Sequence, residues 1–307
     1  MRIVFMGTPD IAVGTLKALI ENGHEIVGVF TKIDKPVGRK QILTPPPVKV
    51  VAQEMGIPVF QPTTLKSDEV YDTLKELNPQ VIVVVAYGKI LPKNILDLPQ
   101  FGCINAHASL LPKYRGSSPI QWSIVDGEKQ TGVTTQLMDE GIDTGDILEK
   151  VTVDVETSDN ADTLYDKLTV AAASLVCSTL EKLENGTAIR TKQDETQATY
   201  TKMIQKEMAL IDFTKTAEEI HNLVRGFYSW PTAYFMLEDK RLKVYKTEIV
   251  NGATAAPSTV VKSDTELVIA CGNNTAIKLL EIQLEGSKRM ETKNWLMGKK
   301  IEVGTKL

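Results

Sequence analysis

The chain opens on an unbroken apolar run, Arg2 to Met6, that reads as a buried strand. Gly7-Thr8-Pro9-Asp10 follows as a turn into a helix. Thr8 suits the N-cap, Pro9 the first helical position and Asp10 the positive end of the helix dipole. Ile11, Ala12, Leu16, Leu19 and Ile20 fall on one face at helical spacing, and Asn22-Gly23 ends the helix before a Val- and Ile-rich strand over 25–31. Strand, helix and strand at this spacing predict a βαβ unit, hence a parallel α/β sheet. Val81 to Ala86, V-I-V-V-V-A, scarcely alternates, as expected of a central parallel strand covered on both faces. The pattern adds helices over 48–55, 67–77, 119–125 and 161–183, and strands over 57–61, 131–137 and 147–155.

Asn185-Gly186 closes the first domain, 1–186, and the polar, aperiodic stretch that follows predicts a linker over 187–208. In the second domain, 209–307, Thr216-Ala-Glu-Glu219 is a capping-box string, and Ile220, Leu223, Val224 and Phe227 form one helical face after it. Alternating segments over 233–237, 241–249, 257–262, 267–271 and 276–283, separated by turn residues, predict a small β-barrel.

Composition narrows the classes. The 307 residues are 42% apolar and 24% charged, with a net charge of -4, which excludes a globally basic nucleic-acid binder. The charge is uneven: residues 209–307 carry about +2 and the rest about -6, which permits an RNA-facing C-terminal part. Cys103, Cys177 and Cys271 lie far apart without a C-x-x-C pair, so the expectation is a reducing cytoplasm without disulfides or zinc. The N-terminus enters a strand directly, and no apolar run approaches membrane-spanning length. Gly7 and Gly14 do not make a G-x-G-x-x-G loop, which argues against a dinucleotide.

The candidate chemistry centres on Cys103 to Gly116, C-I-N-A-H-A-S-L-L-P-K-Y-R-G. Asn105 and His107 are two residues apart and share one side of an extended chain. An amide donor beside an imidazole suits acyl transfer, the amide donating to a developing oxyanion and the imidazole donating or moving a proton. Asp143, in the loop 139–146, is the carboxylate expected to orient and charge His107. Ser109-Leu110-Leu111-Pro112 forms a turn with an exposed-looking Leu pair. Tyr87-Gly88-Lys89-Ile90-Leu91 ends the central strand, where α/β folds place ligands. Asp139, Asp143 and Asp146 do not match calcium-loop spacing, so no metal is expected. The connection 32–47 runs 16 residues and holds Lys35, Arg39, Lys40 and Pro45-Pro46-Pro47. It reads either as a solvated surface loop or as a basic flap for a phosphate backbone.

Two strings, N-x-H…S-L-L-P-x-Y-R-G and the later D-x-G-x-D-T-G, resemble the paired signatures of the 10-formyltetrahydrofolate-dependent formyltransferases. The resemblance implies a Rossmann-like parallel-sheet catalytic domain followed by an OB-like β-barrel. It also implies Asn105, His107 and Asp143 as catalytic residues. Ser109, Leu110, Leu111, Pro112, Tyr87, Gly88, Ile90 and Leu91 would then line the folate site. D-K-P-x-G-R…P-P-P-V-K resembles the insertion marking the branch that formylates methionyl-initiator tRNA. That branch uses the insertion to reach the acceptor arm, which implicates Arg39 and Lys40. Two departures stand out: Met203 where the family often has Lys, with Lys202 and Lys206 as nearby substitutes, and Phe213 where Trp is commoner. Lys240, Arg241, Lys243, Lys246, Lys288, Arg289, Lys299 and Lys300 form either a tRNA-facing surface or a scatter. The alternatives are a formyltransferase for an amino-sugar nucleotide, a formyltetrahydrofolate hydrolase, and a catalytically silent RNA-binding module.

Overall fold

The apolar run at residues 81–85 forms the middle strand of a seven-stranded sheet and is buried at all five positions. The computed structural model describes residues 1–38, 40–299 and 301–307, and the chain divides into two compact units. The first comprises residues 1–119, 130–154 and 165–201. In chain order its elements are β1 (Arg2–Gly7), α1 (Asp10–Glu21), β2 (Glu25–Phe30), β3 (Lys35–Val37), β4 (Ile42–Thr44), α2 (Pro47–Glu54), β5 (Val59–Phe60) and α3 (Asp68–Leu77). There follow β6 (Val81–Val85), α4 (Lys93–Leu96), β7 (Cys103–His107), β8 (Arg115–Gly116), β9 (Gln130–Leu137), β10 (Asp146–Asp154) and β11 (Tyr200–Thr201). Helix α5 (Pro119–Val125) falls, after its first residue, in the second unit, and α6 (Ala161–Glu184) has its first four residues there and the rest in the first. The sheet order is β10-β9-β7-β6-β1-β2-β5. From β7 to β5 the strands run parallel, as the βαβ reading requires, and β9 and β10 add an antiparallel hairpin. Both faces of β1 and β6 are covered, which is why neither sequence alternates.

Three local readings change. Helix α1 starts at Asp10 and not at Pro9, because Pro9 is extended at ψ 178° and itself occupies the cap position. Thr8 lies one residue outside the cap and turns its hydroxyl to the Tyr87 carbonyl at 3.5 Å. The connection 32–47 contains a hairpin, β3 paired antiparallel with β4. Asp34, Lys49 and Gln61 tie its base together: Lys49 Nζ donates to both Asp34 oxygens and to Gln61 Oε1, each at 2.9 Å. Finally, residues 187–201 make contacts that a bare linker does not need. Thr191 pairs with Ile147, and β11 runs parallel to β8.

The second unit comprises residues 120–129, 155–164 and 202–307. It contains α7 (Ala217–Gly226), β12 (Tyr234–Leu237), β13 (Lys240–Asn251), β14 (Val260–Ser263), β15 (Leu267–Ala270), β16 (Thr275–Leu284), β17 (Met290–Glu291) and α8 (Thr292–Leu296). All five expected alternating segments are strands, joined antiparallel as β12-β13-β16-β15-β14, with β17 on β16. Register shifts in β13 opposite β16 curl this sheet into the OB-like half-barrel. The capping box forms as read: Thr216 Oγ1 accepts from the Glu219 amide, and Glu219 Oε2 accepts from the Thr216 amide at 2.8 Å. Phe213 is a core residue, stacked edge-on to Phe235 at 5.3 Å.

Candidate active site

Register builds the site. In the antiparallel pairing of β7 with β9, Asn105 lies opposite Gln136 and His107 opposite Thr134, so these four side chains share one face of the sheet. Asn105 is half-buried: its Nδ2 donates to the Val84 carbonyl at 3.1 Å, and its Oδ1 accepts from Gln136 Nε2 at 3.3 Å. One Nδ2 hydrogen is left over. His107 is buried, and its Nε2 donates to the Tyr114 carbonyl at 2.9 Å. That fixes the proton on Nε2 and leaves Nδ1 facing Asp143 Oδ1 at 3.5 Å.

The loop between β9 and β10 delivers Asp143. Its turn is so tight that a Cβ on Gly141 would lie 2.0 Å from Thr144 Oγ1, and one on Gly145 would lie 1.9 Å from the Leu137 carbonyl oxygen. Those two approaches explain the glycines of D-x-G-x-D-T-G. Asp139 braces the turn by accepting from the Gly141 amide at 3.0 Å and from the Thr144 hydroxyl at 2.6 Å. Asp143 has a left-handed backbone, φ 55°, which Asp adopts more readily than most residues. Its Oδ2 accepts from the Gly116 amide at 2.8 Å and its Oδ1 from Gln136 Nε2 at 2.9 Å. Asp139 and Asp143 are thus committed to the backbone and to neighbouring side chains. Among the described residues no three His, Cys, Asp or Glu side chains gather as a metal site would require.

Sequence reasoning missed the support behind this loop. Gln193 Nε2 donates to the carbonyls of Asp143 and Gly145, each at 2.8 Å. Gln193 Oε1 in turn accepts from Arg115, which is fully buried and also reaches Tyr200 and both oxygens of Glu195. The Arg115 hydrogen bonds hold the Glu195 carboxyl below its ordinary range, and those to Glu195 raise the guanidinium further.

The expected folate-lining residues divide. Ser109 and Leu111 are fully buried, and the Ser109 hydroxyl donates to the Lys113 carbonyl at 2.6 Å. Leu111 is therefore not an exposed residue: it packs inward and holds the turn, while Leu110 and Pro112 remain partly exposed. In the second stretch, Tyr87 and Leu91 are buried, Gly88 is exposed and Ile90 is 76% exposed. Burial pushes the Tyr87 phenol up to about 12. A cavity of 330 Å³ opens nearby in sequence, with Lys93, Leu96, Phe101, Met138, Asp139 and Arg190 in its wall.

Of the residues expected to meet tRNA, Lys40 and Lys206 are exposed, whereas Arg39 and Lys300 lie outside the described residues. In the second unit Arg289 is paired with Glu281 and Lys299 with Glu238, while Arg241 and Lys243 line a separate cavity of 260 Å³.

Comparison with known proteins gives the family. Residues 1–180 match the formyl transferase family model, and residues 203–300 match the formyl transferase C-terminal domain. A methionyl-tRNA formyltransferase of Caldanaerobacter subterraneus is 50% identical over 307 residues, covering 99% of each chain. One from Bacillus subtilis is 47% identical over 305 residues, covering 99% of this chain and 96% of its own. Among solved structures, an N-formyltransferase from Helicobacter canadensis bound to folinic acid and dTDP-3-aminofucose has the same fold. Its TM-score is 0.70 at 22% identity, over 90% of this chain and 98% of its own. The chain belongs to the formyltransferase family, and within it to the methionyl-tRNA formyltransferases.

Proposed function

We propose that this chain transfers the formyl group of 10-formyltetrahydrofolate to the free α-amine of methionyl-initiator tRNA, in the cytoplasm. The observation that carries the reading is the convergence of Asn105, His107 and Asp143 on one face of the β7–β9 pair, with one Asn105 hydrogen still available. The folate fits the residues present. Gly88 carries no side chain at the strand end, and Ile90 offers an exposed apolar edge beside it.

The chain's groups then divide the work. As the amine adds to the formyl carbon, negative charge grows on the formyl oxygen, and Asn105 Nδ2 donates its remaining hydrogen there. His107, anchored through Nε2 on the Tyr114 carbonyl, presents Nδ1 between Asp143 and the reacting atoms. Asp143 stabilises positive charge on that ring and receives the amine proton, directly or through water. As the intermediate collapses, the bond from the formyl carbon to N10 breaks and that proton passes to N10 of the departing tetrahydrofolate. Lys40, Lys206 and Arg39 supply phosphate contacts that set affinity for tRNA.

The test is formyl transfer to initiator methionyl-tRNA, with elongator methionyl-tRNA and an amino-sugar nucleotide as parallel acceptors. Transfer confined to the initiator is expected. Transfer to the sugar alone, or formate release without an acceptor, would overturn the reading.

A further inference from the structure

Gln136 is 1% exposed and lies in the interior of β9, where an apolar residue would fill the space without burying an amide. Its Oε1 has no hydrogen-bond partner among the described residues. Such a group persists against stability when its other end has a task. That other end is Nε2, whose two hydrogens meet Asn105 Oδ1 at 3.3 Å and Asp143 Oδ1 at 2.9 Å. Gln136 thus bonds to both of these residues at once.

We propose that Gln136 is a positioning residue that fixes the direction of the Asn105 amide and the aim of the Asp143 carboxylate together. If the Asn105 amide were flipped, Nδ2 would face the Gln136 donor and Oδ1 would face the Val84 carbonyl. Both contacts would be repulsive, so Gln136 and Val84 reject the flip from opposite ends. The Asp143 oxygen that faces His107 is the same one that accepts from Gln136. Gln136 therefore also limits how far that carboxylate can swing from the imidazole. The inference rests on the proposed reaction. Transfer by the wild-type chain tests that reaction, whereas the ratio of variant to wild type tests this inference.

The experiment compares wild type, Gln136→Met and Gln136→Glu in formyl transfer to initiator methionyl-tRNA, with thermal midpoints measured alongside. Gln136→Met keeps the volume and removes the donor. Its kcat should fall roughly ten- to hundredfold, as loss of a partner that orients a site ligand typically costs, with KM for both substrates within about twofold. Gln136→Glu supplies a repulsive carboxylate beside Asp143 at neutral pH and regains a donor when protonated. Its activity relative to wild type should therefore rise as pH falls toward the carboxylate range. A Gln136→Met kcat within twofold of wild type, or a Gln136→Glu profile parallel to wild type, would overturn the inference. The Gln136→Glu profile decides the matter even if Gln136→Met folds poorly.

Discussion

Replacing Asn105 with Ala isolates the oxyanion donor, and the structure sets the size of two separable effects. In the folded state the substitution removes a 3.1 Å bond to the Val84 carbonyl and a 3.3 Å bond from Gln136. At about 0.5–1.5 kcal/mol net for each neutral hydrogen bond, stability should fall by about 1–3 kcal/mol. That lies below the 5–15 kcal/mol typical of a folded domain, so the variant should remain folded, with a thermal midpoint several degrees lower. In the transition state it removes the Nδ2 hydrogen not held by Val84, and loss of one such donor costs about 2.7–4 kcal/mol, or 10²–10³ in kcat. Single-turnover formyl transfer with both substrates saturating reads the second effect, and thermal unfolding reads the first. A rate loss under tenfold, together with the expected midpoint shift, would refute the donor role.

Two further outcomes follow from the surroundings of the site. Arg115 depresses the Glu195 carboxyl below its unfolded value of 4.5, so this pair contributes stability above that pH and loses it as pH falls through the depressed folded value. The midpoint difference between wild type and Glu195→Gln should be largest near neutrality and vanish in acid; a difference independent of pH would contradict the pairing. Lys40→Ala and Lys206→Ala should each weaken tRNA binding and lower the salt slope of log K by about one, leaving formate release from bound cofactor unchanged, as checked by filter binding across a salt series.

The sequence was most legible where burial dictates composition. Val81 to Val85 could be read as a central strand because both of its faces are covered, and the second unit's strands because one face of each is core. The proximity of the candidate residues was legible in Asn105 and His107 because period two puts them together, and in Asp143 because its glycine-rich turn has a recognisable spelling. Gln136 and Gln193 were not, since Gln193 reaches back about 50 residues and Gln136 bridges Asn105 and Asp143 from between them, and a glutamine has no signature spacing. One signal was present: a Gln in the run Val133-Thr134-Thr135-Gln136-Leu137, just before the acidic loop. Arg115 was visible as part of a motif, but its partners Gln193, Glu195 and Tyr200 sit 78 to 85 residues later, in a stretch that reads as linker. The hairpin β3–β4 escaped because its residues are exposed on both faces and carry no alternation.

The central claim is that His107 and Asp143 act as one unit beside the Asn105 donor. The most direct measurement is the single-turnover rate of His107→Ala, of Asp143→Asn and of the double variant. If the pair works jointly, the double variant should be no slower than the worse single variant by more than about threefold, as for other coupled catalytic residues. A double variant whose loss equals the product of the two single losses would show that they act independently and would contradict the account.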